Sequence, residues 1–229
     1  DIKPRKTLVK TSTNPDIVKN SGYIIVCVPT PVKNKILPDL SAIKNASQTV
    51  ARYLKKGQTI IIESTVYPGV CEEIILPILE KTGLKGGKDF ELSHCPERIN
   101  PGDEKWKITN IPRNIGSLTK KGLKKSANFY RSFIKAKINE TSSIKIAEAS
   151  KVIENTFRDI NIAYVNELAK SFDTLGIDLL ETIEAASNKP FGFLPHYPGC
   201  GVGGHCIPVD PYYLIAKAKK SGFKHTFLK

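Results

Sequence analysis

One segment concentrates residues able to do chemistry: Tyr197-Pro198-Gly199-Cys200-Gly201-Val202-Gly203-Gly204-His205-Cys206-Ile207-Pro208-Val209-Asp210-Pro211. A thiol that follows consecutive glycines can be held exposed, and a neighbouring cation or helix N-terminus turns it into a thiolate nucleophile. Cys206 is that thiol, and Asp210 adds a carboxylate four residues later. Each also has a plainer use. A free cysteine is commonly a small buried hydrophobe, and Asp210 is as well suited to capping a helix that begins near Pro211. Gly199, Gly201 and Gly204 spell GxGxxG, but a dinucleotide fingerprint needs a strand before it and a helix directly after it. Proline-rich chain on both sides rules that match out. The glycines read instead as a tight loop where backbone passes close to a ligand.

A second group sits upstream. Lys151 and Asn155 are four residues apart in a helical pattern and so share a face, with Glu148 and Arg158 extending the polar stripe. An ammonium and an amide on one rigid face suit stabilisation of a developing oxyanion. A solvated helix face accounts equally well for such a pair taken alone.

The elements that must carry these groups follow from periodicity. Residues 144–172 contain no Gly or Pro and place Ile146, Ala149, Ile153, Ile160, Ala163, Val165 and Leu168 on one apolar side, which predicts a long helix. Further helices are expected over 178–186, after the Gly176 break, and over 212–220, ending at Gly222. The first part of the chain alternates instead. Residues 8–9 open a strand-like stretch, and Thr13-Asn14-Pro15-Asp16 reads as a helix start. Tyr23-Ile24-Ile25-Val26-Cys27-Val28 reads as a strand buried on both faces, forced out of the sheet at Pro29-Thr30-Pro31. A helix over 39–56, a strand over 59–62 ending in Glu63-Ser64-Thr65, a helix over 70–81 and a strand from Phe90 into Cys95-Pro96-Glu97 follow. This rhythm predicts an α/β fold: a Rossmann-like parallel sheet over 1–140, then an α-helical dimerisation domain over 141–229 with a long central helix. The change of character falls at 137–143. Ligands bind at the carboxyl ends of strands in such sheets, which directs Thr30, Thr65 and Glu97 at one crevice.

Composition narrows the partners. The net charge is +13, but the lysines are scattered and no aromatic-interleaved basic stripe appears, so nucleic acid is not expected. No run of 18 apolar residues suggests a membrane span. The five cysteines are odd in number and lack a CxxC, which indicates reduced thiols in a cytoplasmic protein. No metal is expected, because His94-Cys95 and His205-Cys206 are adjacent pairs without ligand spacing. The chain has no Met and reads as a fragment or a processed chain.

From Tyr23 to Tyr213 the sequence resembles the UDP-glucose/GDP-mannose dehydrogenase family. The matching stretches are Cys27-Val28-Pro29-Thr30-Pro31, Glu63-Ser64-Thr65-Val66-Tyr67-Pro68-Gly69 and Pro96-Glu97-Arg98. They continue with Lys151-Val152-Ile153-Glu154-Asn155 through Asn166-Glu167-Leu168-Ala169, and with Gly203-Gly204-His205-Cys206-Ile207-Pro208-Val209-Asp210-Pro211. Five ordered motifs are specific in a way that no single one is. The resemblance implies a four-electron oxidation of a UDP-sugar C6 alcohol with two NAD in succession, through a thiohemiacetal and a thioester on Cys206. It implies that Lys151 and Asn155 cradle the substrate oxygen, that Asp210 and Thr65 orient water or move protons, and that Glu97 is the hydrolytic base. Val28, Pro29, Thr30 and Ser64 match cofactor positions; Glu97, Arg98, Lys151, Asn155, Tyr197 and Gly203 match substrate positions. A homodimer and a role in polysaccharide precursor supply are implied too.

Glucose-specific members are similar to Asn-Pro-Glu-Phe-Leu-x-Glu-Gly at the Glu97 segment, whereas this chain has Arg98 after the glutamate and Pro101 at the later carboxylate position. That feature, with Lys189-Pro190-Phe191-Gly192-Phe193, resembles the UDP-N-acetylhexosamine branch acting on UDP-GlcNAc or UDP-ManNAc. The family's first βαβ units with the Gly-rich turn, and its carboxyl-terminal UDP-binding domain, are not found in the sequence, so these residues alone are expected to be inactive. The alternatives are a dimerising scaffold without activity, a UDP-glucose-specific member, and a thiol aldehyde dehydrogenase, which would share neither the Lys151/Asn155 pair nor the Thr30 segment.

Overall fold

The computed structural model describes residues 10–34, 36–100, 102–204 and 206–228, so the strand expected at 8–9 lies outside the described residues. In chain order the elements are β1 (Tyr23–Val26), β2 (Val32–Lys33), β3 (Leu37–Pro38), α1 (Ser41–Tyr53), β4 (Thr59–Ile62), α2 (Leu76–Glu80), β5 (Glu91–His94), β6 (Arg113–Ser117), α3 (Lys120–Arg131), β7 (Ile138–Glu140), α4 (Ile144–Leu175), α5 (Leu179–Ser187) and α6 (Asp210–Lys220). Contacts divide them into two compact units. The first is Asp1–Pro29, Leu40–Ser64 and Gly69–Glu148; the second is Thr30–Asp39, Thr65–Pro68 and Ala149–Lys229.

The first unit is built on a five-stranded Rossmann-like sheet in the order β1-β4-β5-β6-β7. β1, β4 and β5 run parallel with Val26, Ile62 and His94 in register, so their carboxyl ends share one edge. The β5–β6 pair is antiparallel and β6–β7 parallel again, which makes the sheet mixed rather than wholly parallel. Every residue of β4 is buried, as its Thr-Ile-Ile-Ile sequence demands of a central strand. On the α3 side, Ile61, Cys95, Ile115, Ala127, Tyr130, Ile134 and Ile138 form one apolar cluster. Gly116 of β6 admits a close approach of backbone: a Cβ there would lie 2.5 Å from the Ser143 carbonyl oxygen at the entry to α4.

Several expectations change in detail. β1 ends at Val26 and lies at the end of the strand order, so Ile25 is 39% exposed rather than covered on both faces. Asn14 does cap a start, its side chain accepting the Asp16 N–H, but of a 3-10 helix, Pro15–Asn20. The helix expected over 70–81 is a π turn, Cys71–Ile75, followed by the short α2. Pro77 has no N–H to return to the preceding turn, which widens so that Leu76 N–H reaches the Cys71 carbonyl. β6, α3 and β7 went unrecognised because α3 buries only a narrow stripe of Gly122, Ser126, Ala127 and Tyr130 among lysines.

In the second unit α4 packs through Val165, with Leu168, Ala169 and Phe172, against Leu179 and Ile183 of α5. Asp178 caps α5, accepting the N–H groups of Leu180 and Glu181. The apolar side expected for the long helix holds at Val165 and Leu168 but is displaced earlier along it: Ile146 and Ile153 are exposed, while Ala147, Val152 and Thr156 are buried. The small β2–β3 hairpin, two residues per strand, also belongs to this unit and packs on α6. Among the described residues no helix is long and apolar enough to cross a membrane.

His94, on β5, is fully buried, neither ring nitrogen is hydrogen-bonded among the described residues, and burial pushes the imidazole down from 6.5 to about 3. The unfolded chain therefore gains a proton near pH 6.5 that the native state refuses until about pH 3, so stability is full above 6.5 and is lost as pH falls between the two. One proton amounts to about 1.4 kcal/mol per pH unit. Urea titrations followed by Trp106 fluorescence should show His94→Leu with a shallower loss of stability between about pH 6 and pH 4 by up to that slope. An unchanged slope would refute the assignment.

Candidate active site

In the second unit the long helix organises the glycine-rich loop that carries Cys206. Asn155 donates its side-chain amide to the Asp210 carboxylate, and Lys151, one turn earlier on α4, is near enough for its charge to act on the same group. Asp210 is buried, which pushes its carboxyl up to about 6, with the Asn155 bond and the Lys151 charge pulling in the opposite direction. It is the first residue of α6 yet makes no side-chain cap, because its carboxylate is spent on Asn155. Its backbone N–H donates to the Cys206 carbonyl at 3.0 Å, and Val209 N–H donates to the same oxygen at 3.1 Å. That turn sets Cys206, which is exposed, one step ahead of the buried acid.

The other end of the loop is tied to the same helix. Gly199 N–H donates to the Asn166 side-chain oxygen at 2.8 Å. Asn155 and Asn166 are eleven residues apart, about three turns, and so lie on one face of α4. Between the anchors Gly201, Gly203 and Gly204 all have positive φ, at 113°, 63° and 76°, a region that disfavours any side chain. A Cβ at Gly199, Gly201, Gly203 or Gly204 would meet nothing within 4 Å, so these glycines serve backbone geometry rather than close packing within the chain. Tyr197 is exposed, and His205 lies outside the described residues.

Thr30 and Thr65 fall in this second unit. The Thr30 and Pro31 carbonyls accept from the Tyr213 hydroxyl on α6, at 2.9 and 3.1 Å. The Thr30 and Thr65 hydroxyls make no hydrogen bond among the described residues.

Val28, Pro29, Ser64, Glu97 and Arg98 belong to the first unit. The Ser64 hydroxyl accepts the Val28 N–H at 2.8 Å and donates to the Val28 carbonyl at 2.8 Å, so it braces the end of β1. Glu97 is fully engaged. One oxygen accepts the Arg98 and Ile99 N–H groups at 2.7 and 2.8 Å, and the other takes the Arg113 guanidinium at 2.6 Å. Arg113 is 1% exposed and lies over the Tyr130 ring, 5.8 Å from its centre and 4.0 Å from Glu63. Burial works against its charge, but Glu97, Cys95 and Glu63 raise its pKa overall. Glu63 also accepts from the Tyr130 hydroxyl and from Cys27, the latter at 3.3 Å.

Sequence reasoning missed Arg113, Tyr130 and Tyr213, whose only signal was polarity beside apolar strand or helix residues, and gave Glu63 no role although it opens a matched motif. It also misplaced Glu148. That residue is not part of a solvated stripe with Lys151; it is buried in the first unit, accepting the Gly69 N–H and, at 2.8 Å, the Cys71 N–H. Arg158 is exposed as expected of a helix face.

Parallel strands with a shared carboxyl edge in the first unit, and a helical second unit carrying an exposed thiol near a buried acid, make an α/β chain of Rossmann-like layout. Residues 3–134 match the NAD binding domain of the UDP-glucose/GDP-mannose dehydrogenase family, and residues 145–229 match its central domain. The chain belongs to that family. The CapL protein of Staphylococcus aureus is 45% identical over 221 residues, covering 96% of this chain and 52% of that protein. The UDP-N-acetyl-D-glucosamine 6-dehydrogenase of Pseudomonas aeruginosa is 44% identical over 97% of this chain and 52% of its own length. Among solved structures, the UDP-D-ManNAc dehydrogenase of Pyrococcus horikoshii superposes with a TM-score of 0.88 at 39% identity, over 95% of this chain and 51% of that one. The chain thus spans about half the length of the curated relatives it matches.

NAD is the cofactor of the matched domain. Within the first unit, the end of β1 is braced from behind by Ser64.

Of the five thiols, Cys27, Cys200 and Cys206 are exposed and Cys71 and Cys95 buried. Burial raises the latter two, Cys95 to about 12; Cys27 is pushed to about 12 by desolvation of its sulfur and the Glu63 carboxylate. Maleimide labelling at about pH 7.5, read by peptide mass spectrometry, should modify Cys200 and Cys206 at least about tenfold faster than the other three. Fastest modification at Cys71 or Cys95 would contradict this arrangement.

Proposed function

We propose that this chain is the oxidising core of an NAD-dependent UDP-N-acetylhexosamine 6-dehydrogenase, with Cys206 as covalent nucleophile. The observation that carries the reading is the exposed Cys206 one turn ahead of Asp210, which Asn155 and Lys151 of α4 attend. NAD, when bound, supplies the hydride acceptor for both oxidations. The chain's own residues handle everything else. After the C6 alcohol becomes an aldehyde, the Cys206 sulfur bonds to C6, and the oxygen that gains negative charge is met by the Lys151 ammonium and the Asn155 amide. Oxidation of that thiohemiacetal leaves a thioester, and water cleaves it to the carboxylate and the free thiol. The water proton passes to Asp210, with Thr65 orienting the water. Glu97, held by Arg113 and two N–H groups, orders the Arg98 turn; to serve the hydrolysis as a base it must exchange one of those bonds for water.

Support for the N-acetylhexosamine branch comes from Pro96-Glu97-Arg98 and from relatives named for UDP-N-acetyl-D-glucosamine and UDP-N-acetyl-D-mannosamine. Val28, Pro29, Thr30 and Ser64 are assigned to the NAD side; Glu97, Arg98, Lys151, Asn155, Tyr197 and Gly203 to the substrate side. Residues 1–140 then form the nucleotide-binding part and 141–229 the helical part, in a cytoplasmic enzyme of polysaccharide precursor synthesis.

In the full-length protein, two NADH should form per UDP-GlcNAc or UDP-ManNAc consumed, with UDP-glucose the slower substrate. Cys206→Ser should lower uronate formation by on the order of a thousandfold. Asp210 must be ionised to accept a proton, so the rate should rise with pH through about 6, and Asp210→Asn should abolish that rise. One NADH per sugar, or an unaffected Cys206→Ser, ends the thioester mechanism; faster UDP-glucose turnover ends the branch assignment.

We assign the dimer interface to α4. Ile153, Phe157 and Tyr164 are exposed at spacings of four and seven, a single stripe suited to a second copy of the same helix. Light scattering should give twice the chain mass, falling to monomer in Tyr164→Glu. A monomeric wild type would sink the assignment.

A further inference from the structure

The Pro29-Thr30-Pro31 segment poses a problem of support. Two of its three residues have no backbone N–H, so it cannot be held by a strand ladder, and its place depends on what its carbonyls accept. Two donors meet that need. The Asp39 N–H closes the hairpin loop onto the Pro31 carbonyl at 2.8 Å, with a Lys33–Asp39 ion pair of 3.1 Å beside it. The other donor is Tyr213, whose single hydroxyl proton is shared between the Thr30 and Pro31 carbonyls. Tyr213 is fully buried on α6, three residues past Asp210, and its ring packs 6.1 Å from that of Tyr67. A buried phenol with a fixed ring has little freedom to seek another partner.

We propose that Tyr213 is a positioning residue of the nucleotide site. Its hydroxyl fixes Thr30 relative to the helix that begins at Asp210, so one helix sets both the cofactor-side hydroxyl and the proton-accepting carboxylate. This rests on the reading above that Thr30 touches NAD. Removing the phenol oxygen leaves the Thr30 carbonyl without that donor and the Pro31 carbonyl with the Asp39 N–H alone, which frees Thr30, while the apolar ring contacts stay in place.

The test is a double-mutant cycle in the full-length protein, with NAD affinity measured by equilibrium binding beside steady-state rates. Tyr213→Phe should weaken NAD binding and raise its KM by about tenfold, the worth of one hydrogen bond of this kind, and leave the KM for the UDP-sugar within about twofold. Tyr213→Phe in a Thr30→Val background should add little further loss, because the phenol acts through Thr30. Additive losses, a parallel rise in both KM values, or a fall in melting temperature with NAD affinity intact would each overturn the proposal. A wild type that binds no NAD overturns the dehydrogenase reading and this inference with it; a wild type that turns over, beside an unaffected Tyr213→Phe, overturns this inference alone.

Discussion

The bond from Asn155 to Asp210 is the interaction on which the second unit depends. A carboxylate taken out of water is costly unless it is hydrogen-bonded, and Asp210 is 3% exposed. The amide of α4 compensates part of that cost and in doing so fixes where α6 begins. Since Asp210 and Val209 both donate to the Cys206 carbonyl, the place of the thiol follows from the place of the acid. Asn166 repeats the device at Gly199, three turns along the same face. The glycine-rich loop is therefore a bridge between two asparagines on one straight element, and its positive-φ glycines let the chain close the span without a side chain in the way.

The first unit solves a related problem with the opposite charge. Arg113 is buried where two carboxylates, Glu97 and Glu63, come from the ends of neighbouring strands. A buried guanidinium left unpaired would be strongly destabilising, so each glutamate is fixed by its contribution to pairing it. The Tyr130 face and the Pro96 carbonyl, 3.5 Å from the guanidinium, complete the shell. One result is order in the Arg98 turn, because the Glu97 oxygen not taken by Arg113 collects the two N–H groups that follow it.

Much of this could be read from sequence, and the reason lies in which interactions are local. The Thr-Ile-Ile-Ile strand follows from its unbroken apolar run, and a helix from 144 to about 172 with Lys151 and Asn155 on one face from its period, while Cys206 and Asp210 stood out from their plainer uses only through the family resemblance. The partner of a buried charge carries no such mark. Arg113 and Glu97 are 16 residues apart, Tyr213 and Thr30 183, and Glu148 and Gly69 79. Glu148 shows the failure clearly: at helical spacing from Lys151 it resembles any solvated glutamate, and only the fold reveals that two backbone N–H groups at the π turn claim it. The apolar side of α4 was misread for a similar reason. A helix with a second apolar stripe, through Ile153, Phe157 and Tyr164, gives period analysis two faces to choose between.

Glu148 and Asp210 together show how the fold treats its acids. Burial pushes Glu148 from 4.5 up to about 7 and Asp210 from 3.8 up to about 6, against the hydrogen bonds each accepts. A carboxyl whose folded pKa is raised stabilises the native state fully below its unfolded value and loses that contribution as pH rises through the folded one. The native chain thus gives up stability on ionising both groups between about pH 4 and pH 7. For Glu148 the two N–H partners explain why a carboxyl is there at all, since an apolar side chain would leave the Gly69 and Cys71 donors buried and unpaired. Asp210 has the Asn155 amide as its hydrogen-bond partner, with the Lys151 charge acting on it beside that. An acid held that way, raised toward neutrality and one turn from an exposed thiol, fixes the start of α6 and also suits the proton-accepting role proposed for it.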